Sequence, residues 1–270
     1  MGNRPIIYND PSGHTYLCGI SCEAEGEKKQ YSLDDTGALY GITFNSGWSA
    51  TNKAKALLGV MRLAKSMMEA YNSYQEGVYQ SCLENMSSPS SSCSSKSTTE
   101  VEVFKAVFGD LKFNVNGTSS AWMCGASASG FSCSTGNGRD IDPRLVVHEL
   151  GHTFNANYNP LGVTPYATLG SASITTAQGI WVAGLHYVDE VWKWDRNPDF
   201  AGYYSNGAPA VYHGSATWDD WNSPGIAVGE EFADMYMNWA FNSFTVDSAG
   251  QARFAWMSSN MGQWLNNMVP

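Results

Sequence analysis

Residues 50–79 carry Leu57, Met61, Ala64, Met68 and Tyr71 at steps of three and four. That spacing gathers apolar side chains on one face and predicts a single long helix. Two later stretches, about 228–244 and 250–266, also follow the helical period. In the second of them Phe254, Met257, Met261 and Leu265 share a face. A further helix is announced by its start. Asp142 is a residue type that accepts from the free N–H groups of a first turn, and Pro143 loses only an N–H that has no partner there. Residues 144–154 follow as that helix. Residues 101–115 alternate only in part, and their second half, 111–115, predicts a strand. Residues 121–134 are rich in small side chains around Trp122 and Phe131 and predict a second strand or hairpin. Residues 1–48 are turn-rich, with short apolar stretches at 15–20 and 38–44, so irregular structure with one or two strands is expected. Residues 87–99, Ser-rich with Pro89, predict a surface loop. Residues 155–225 are dominated by loop-forming residues, with a short helix expected near 189–194.

Composition narrows the class. Of the 270 residues 43% are hydrophobic and only 15% charged, which excludes a disordered chain and suffices for a sizeable core in one domain or one domain of two lobes. The net charge of -10 argues against a nucleic-acid or anionic-membrane partner. No apolar run approaches the ~20 residues of a membrane span, and no repeat of solenoid period is present. The six cysteines fall as three neighbouring pairs without zinc or redox spacing. Local bridges Cys18–Cys22, Cys82–Cys93 and Cys124–Cys133 are expected, and with them an oxidising compartment. Sequons at Asn85 and Asn116 agree with secretion. The polar opening around Arg4 and Pro5 fits a mature secreted chain to which Met1 was added.

The chemistry is concentrated in His148-Glu149-Leu150-Gly151-His152. The chain has five histidines, and two of them stand four apart around a glutamate on a helix that follows strand-like segments. Residues four apart project from one helix face, so both imidazoles can reach one zinc ion at about 2.0–2.1 Å. Glu149 lies at the edge of that face, suited to accept a proton from water rather than to ligate. Gly151 leaves room for another segment beside the metal. Two core histidines and a surface glutamate would fit the same letters, but the spacing and context favour a metal site. A further ligand is needed, and the six residues after His152 hold no histidine. Downstream stands Glu230-Glu231-Phe232-Ala233-Asp234. Glu230 and Asp234 share a helical face, so one carboxylate can bind the metal while the other holds an imidazole through its second nitrogen. Glu231, Asp219 and Asp220 are the alternative third ligands. No Gly-rich phosphate loop and no Gly-x-Ser-x-Gly elbow accompany these motifs.

These two motifs resemble those of the gluzincins, the branch of zinc peptidases that includes thermolysin, where His-Glu-x-x-His is followed by Glu-x-x-x-Asp on a later helix. The resemblance covers two helices. It implies Zn2+ bound by His148, His152 and Glu230, with Glu149 as general base and Asp234 hydrogen-bonded to His148. The separation of the motifs is long compared with thermolysin. No histidine follows Glu230, so the oxyanion donor must come from elsewhere. Tyr212, His213, His186 and Tyr236 are candidates, of which His213 or Tyr212, just upstream of the second motif, is preferred. Trp181, Trp192, Trp194, Trp218 and Trp221 lie between the motifs, where they build the core of a loop-rich lobe or line a cleft.

The fold implied is α+β and zincin-like, one domain over residues 1–270. A small twisted sheet, a backing helix and the motif helix would form an N-terminal lobe, about 1–157. A mainly helical C-terminal lobe, about 158–270, would supply Glu230. Substrate would lie extended beside an edge strand at 111–115. The expected function is that of a secreted, monomeric zinc endopeptidase acting on protein or peptide, without nucleic-acid or membrane partners. The alternatives are a zinc hydrolase of non-peptide bonds and a non-enzymatic binding module with structural zinc.

Overall fold

The computed structural model describes residues 31–85, 93–118, 123–135, 141–171, 224–244, 246 and 248–270, together with the backbone of four short strands at 6–9, 15–18, 185–188 and 191–194. In chain order the elements are β1 (Ile6–Asn9), β2 (Thr15–Cys18), α1 (Leu33–Leu39), β3 (Ile42–Phe44), α2 (Ala50–Glu84), α3 (Glu100–Phe108), β4 (Leu111–Thr118), β5 (Met123–Ser127), β6 (Gly130–Thr135), α4 (Pro143–Tyr158), α5 (Pro165–Ser171), β7 (Leu185–Val188), β8 (Val191–Trp194), α6 (Pro224–Phe241) and α7 (Ser248–Met268). The class is α+β, with a small mixed sheet, helices packed against it and a mostly helical C-terminal part.

The sheet has the order β3-β4-β6-β5. β3 and β6 run parallel to β4, and β5 returns antiparallel to β6 as the expected hairpin. Residues 111–115 therefore lie in an inner strand, not the edge strand anticipated for substrate. The reason is that β4 pairs on both sides, with β3 and with β6. Leu111 and Phe113 of β4 and Phe131 and Cys133 of β6 all point into the core. The Phe113 and Phe131 rings meet at 4.2 Å. Beyond the short β3, the Asn45 side chain continues the ladder: its Nδ2 donates to Val115 O at 3.0 Å, and Val115 N donates to its Oδ1 at 3.1 Å.

Helix α2 is the backing helix, 35 residues long. Its buried stripe runs through Leu57, Val60, Leu63, Ala64, Met67 and Tyr71, while Met61 and Met68 flank it half-buried. The stripe is wide because α3, α4, α6 and α7 all pack on this helix. α3 occupies residues where partial alternation hid a helix. Thr99 and Glu102 form a reciprocal capping box at its start, and Val103, Phe104, Val107 and Phe108 form one buried face. The short helix expected near 189–194 is instead the strand pair β7–β8, with Val188 opposite Val191. The β-branched and aromatic residues there suit a strand better than a helix.

On α7, Met257, Met261 and Leu265 are fully buried as expected, but Phe254 is 42% exposed. Its neighbour Arg253 turns inward instead and forms a buried ion pair with Glu231 of α6. The disulfides Cys82–Cys93 and Cys124–Cys133 are both formed. The first ties the end of α2 to the segment before α3, and the second joins β5 to β6 across facing positions. The expected Cys18–Cys22 bridge lies outside the described residues. Among the described residues, no helix is long and apolar enough to cross a membrane.

Candidate metal centre

The site begins with the start of α4. Asp142 caps it, accepting from Arg144 N at 2.7 Å, and Pro143 opens the first turn. The N-terminal end sits tightly on α2, where a Cβ on Gly59 would come within 2.5 Å of Pro143 O. Asn52 of α2 also accepts from Ile141 N at 2.9 Å. α4 is thus fixed before its chemistry begins.

On its other side α4 meets α6, and Gly151 sets the distance. A Cβ there would lie 3.0 Å from Ala233 Cα and 3.3 Å from Tyr236 Cβ. The missing side chain lets two helix backbones approach closely enough for Glu230 to reach the histidines. At the far end of α6, Arg62 Nε and Ser66 Oγ of α2 both donate to Ala240 O, holding its last turn.

The result is a triangle. His148 Nε2 and His152 Nε2 stand 3.2 Å apart. Glu230 places one oxygen 3.2 Å from the first and the other 3.5 Å from the second. These three residues form the group among the described residues that could hold a metal ion. The dimensions fit one: ligands at about 2.0–2.1 Å around a tetrahedral zinc are separated by roughly 3.3–3.4 Å. The outer nitrogens support the fit. His148 Nδ1 donates to Asp234 Oδ1 at 2.9 Å, which leaves the Nε2 lone pair facing inward. His152 Nδ1 meets the Tyr166 hydroxyl of α5. Imidazole nitrogens and a carboxylate oxygen this close repel through their lone pairs unless a proton or a cation lies between them.

Electrostatics agree. Burial opposes a charged His148, but hydrogen bonds to Asp234 and Glu230, aided by the fields of Asp234 and Glu149, outweigh it and raise its pKa well above the ordinary value. Burial also pushes Glu230 up, yet the His148 hydrogen bond and the fields of both histidines leave it below the ordinary carboxylate range. Glu149 is pushed up to about 7, first by burial and further by Glu230, with His148 pulling the other way. Glu149 is buried, 5% exposed, next to His148 in the chain and within the fields of His148 and Glu230. The upward shifts of His148 and Glu149 favour protons in the place where a divalent cation would exchange for them.

Sequence reasoning placed His148, His152, Glu230 and Asp234 together, and the structure brings them together. Glu231 is removed as an alternative ligand, since it is buried against Arg253. Tyr236 is removed as an oxyanion donor: its ring is fully buried in the core, and its hydroxyl donates to Met67 Sδ at 3.6 Å. His213, Tyr212, Asp219, Asp220, Trp181, Trp218, Trp221 and the side chains of His186, Trp192 and Trp194 lie outside the described residues. Tyr166 and Arg253 were missed. Tyr166 meets His152 directly from α5, and Arg253 of α7 reaches α6 through Glu231, and no spacing within the sequence signals either pairing. Set against protein-family models, curated proteins and solved structures, the chain matches none at a significant level.

Proposed function

We propose that the chain is a secreted zinc endopeptidase of the gluzincin type, one zincin-like domain over residues 1–270. The convergence of His148 Nε2, His152 Nε2 and the Glu230 carboxylate, which sets one oxygen 3.2 Å from the first and the other 3.5 Å from the second, carries this reading. The mixed nitrogen and oxygen ligand set suits zinc. Among the described residues three protein ligands converge, a number that suits an open, catalytic site. The two disulfides favour an oxidising compartment.

Bound to these ligands, zinc supplies Lewis acidity and acidifies water. The remaining work falls to the protein. Glu149 accepts the proton of the attacking water and delivers it to the leaving amine, a role suited to a carboxyl pushed up to about 7 in the metal-free chain. Asp234 keeps the His148 proton on Nδ1 and so keeps Nε2 a ligand. His213, or Tyr212, serves as donor to the developing oxyanion. Among the described residues β5 pairs with β6 alone, and β5 contacts α4. A peptide added as a further strand along β5 would therefore run beside the motif helix.

The test is Glu149→Gln in the full chain. Zinc content should stay at the wild-type level while turnover of an unstructured protein substrate falls about 10²- to 10⁴-fold. Undiminished turnover would remove Glu149 from the reaction. A wild-type chain that binds zinc but cleaves no peptide bond would reject the peptidase assignment.

A further inference from the structure

We propose that Tyr166 is a positioning residue of the metal centre, fixing the His152 ring through Nδ1 and strapping α4 to α6 at the metal end; this rests on the metal reading above. The Tyr166 hydroxyl is hydrogen-bonded to His152 Nδ1, and the two rings stand nearly perpendicular, 88°, with centroids 6.1 Å apart. Both ligand-bearing helices hold the same phenol. From α4, Asn155 Oδ1 accepts from Tyr166 N at 2.9 Å. From α6, Phe232 packs on the ring at 5.5 Å, and Gly229 makes room for it: a Cβ there would meet Cε2 at 3.1 Å. Gly229 immediately precedes the ligand Glu230, so one side chain senses the placement of both His152 and Glu230.

The chemistry assigns the phenol its role. An imidazole that ligates through Nε2 carries its proton on Nδ1 and needs an acceptor there. For His148 that acceptor is the Asp234 carboxylate. For His152 it is the Tyr166 oxygen. Burial, with Glu230 and Glu149 nearby, keeps Tyr166 a neutral phenol. The two ligand rings are therefore unequal, one backed by an anion and the other by a neutral hydroxyl.

The experiment measures zinc affinity by competition with a chromophoric chelator, using the wild-type chain, Tyr166→Phe and Tyr166→Leu. Phenylalanine keeps the packing and removes only the hydroxyl. We expect Tyr166→Phe to bind zinc about 10- to 100-fold more weakly, nearly as weakly as Tyr166→Leu. Zinc binding by Tyr166→Phe within twofold of wild type, with loss only in Tyr166→Leu, overturns the proposal and leaves the metal centre standing. Wild type binding zinc without cleaving peptides overturns the peptidase reading alone, and wild type taking up no zinc overturns both. A second measurement needs no variant. Nitrogen NMR of the zinc-loaded wild-type chain, labelled in histidine, should show His152 bound through Nε2 with its proton on Nδ1. Ligation through Nδ1 overturns the proposal.

Discussion

Replacing Gly151 by alanine tests how the helices hold the site. The added methyl would sit 3.0 Å from Ala233 Cα, 3.3 Å from Tyr236 Cβ and 3.4 Å from Ala233 Cβ. Carbon atoms pack best at about 3.5–4.0 Å, so α6 must withdraw from α4 by roughly 0.5 Å. Crowding of this kind costs about 1–3 kcal/mol, and alanine in place of glycine inside a helix gives back about 1 kcal/mol. The net change in stability of the metal-free chain is thus small, about 0–2 kcal/mol destabilising. Metal affinity should change more. Glu230 lies one turn before Ala233 and moves with it, whereas ligand distances tolerate only about ±0.2 Å. Zinc would have to draw α6 back against the clash. That penalty of about 1–3 kcal/mol corresponds to roughly 5- to 140-fold in Kd, since 1.4 kcal/mol is tenfold. The assay is chelator competition for zinc, with urea unfolding of the metal-free chain alongside. Gly77→Ala on α2, where the new Cβ meets nothing within 4 Å, is the control and should leave zinc affinity unchanged. Wild-type zinc affinity in Gly151→Ala would refute the claim that this glycine sets the reach of Glu230.

Three further outcomes are expected. Arg253→Met leaves Glu231 charged and buried, and should cost about 3–5 kcal/mol in urea unfolding. The double change with Glu231→Leu should recover most of that, and a single-variant loss below about 1 kcal/mol would contradict a buried, functioning pair. Asp234→Ala removes the acceptor of His148 Nδ1 and should weaken zinc binding about 10- to 100-fold while the chain still folds, as circular dichroism can verify. In the metal-free chain, Glu149 keeps its proton up to about 7 when folded but loses it near 4.5 when unfolded. Between those values the folded state binds more protons, so stability falls as pH rises, by about 3 kcal/mol in all. Glu149→Gln should flatten that slope between pH 4.5 and 7, and an unchanged slope would place the titration elsewhere.

The site was more legible in the sequence than the fold around it. Ligand spacing on a helix is a local property, so His148 and His152 could be placed on one face from their separation alone, and Glu230 with Asp234 likewise. The cap at Asp142, the span of α6 and the buried face of α7 through Met257, Met261 and Leu265 were legible for the same reason. What escaped depended on partners distant in sequence. Residues 111–115 were correctly a strand, but their inner position follows from pairing with β3 and β6, which no local pattern encodes. Phe254 fits the period of α7, yet Arg253 takes the buried place because Glu231 waits on α6. Val103 and Phe104 looked partly alternating, and the capping box of Thr99 and Glu102, visible in the letters, was the better guide. Tyr166 gives no local sign of its contact with His152, since that contact depends on how α5 is laid across two other helices.

X-ray absorption at the zinc edge of the metal-loaded chain probes the proposed ligands directly. Two imidazole nitrogens at about 2.0–2.1 Å and oxygen neighbours at about 2.0–2.2 Å are expected, with one imidazole lost in His152→Ala and the oxygen shell altered in Glu230→Ala. A sulfur neighbour near 2.3 Å, or a spectrum unchanged by both substitutions, would contradict a metal held by His148, His152 and Glu230.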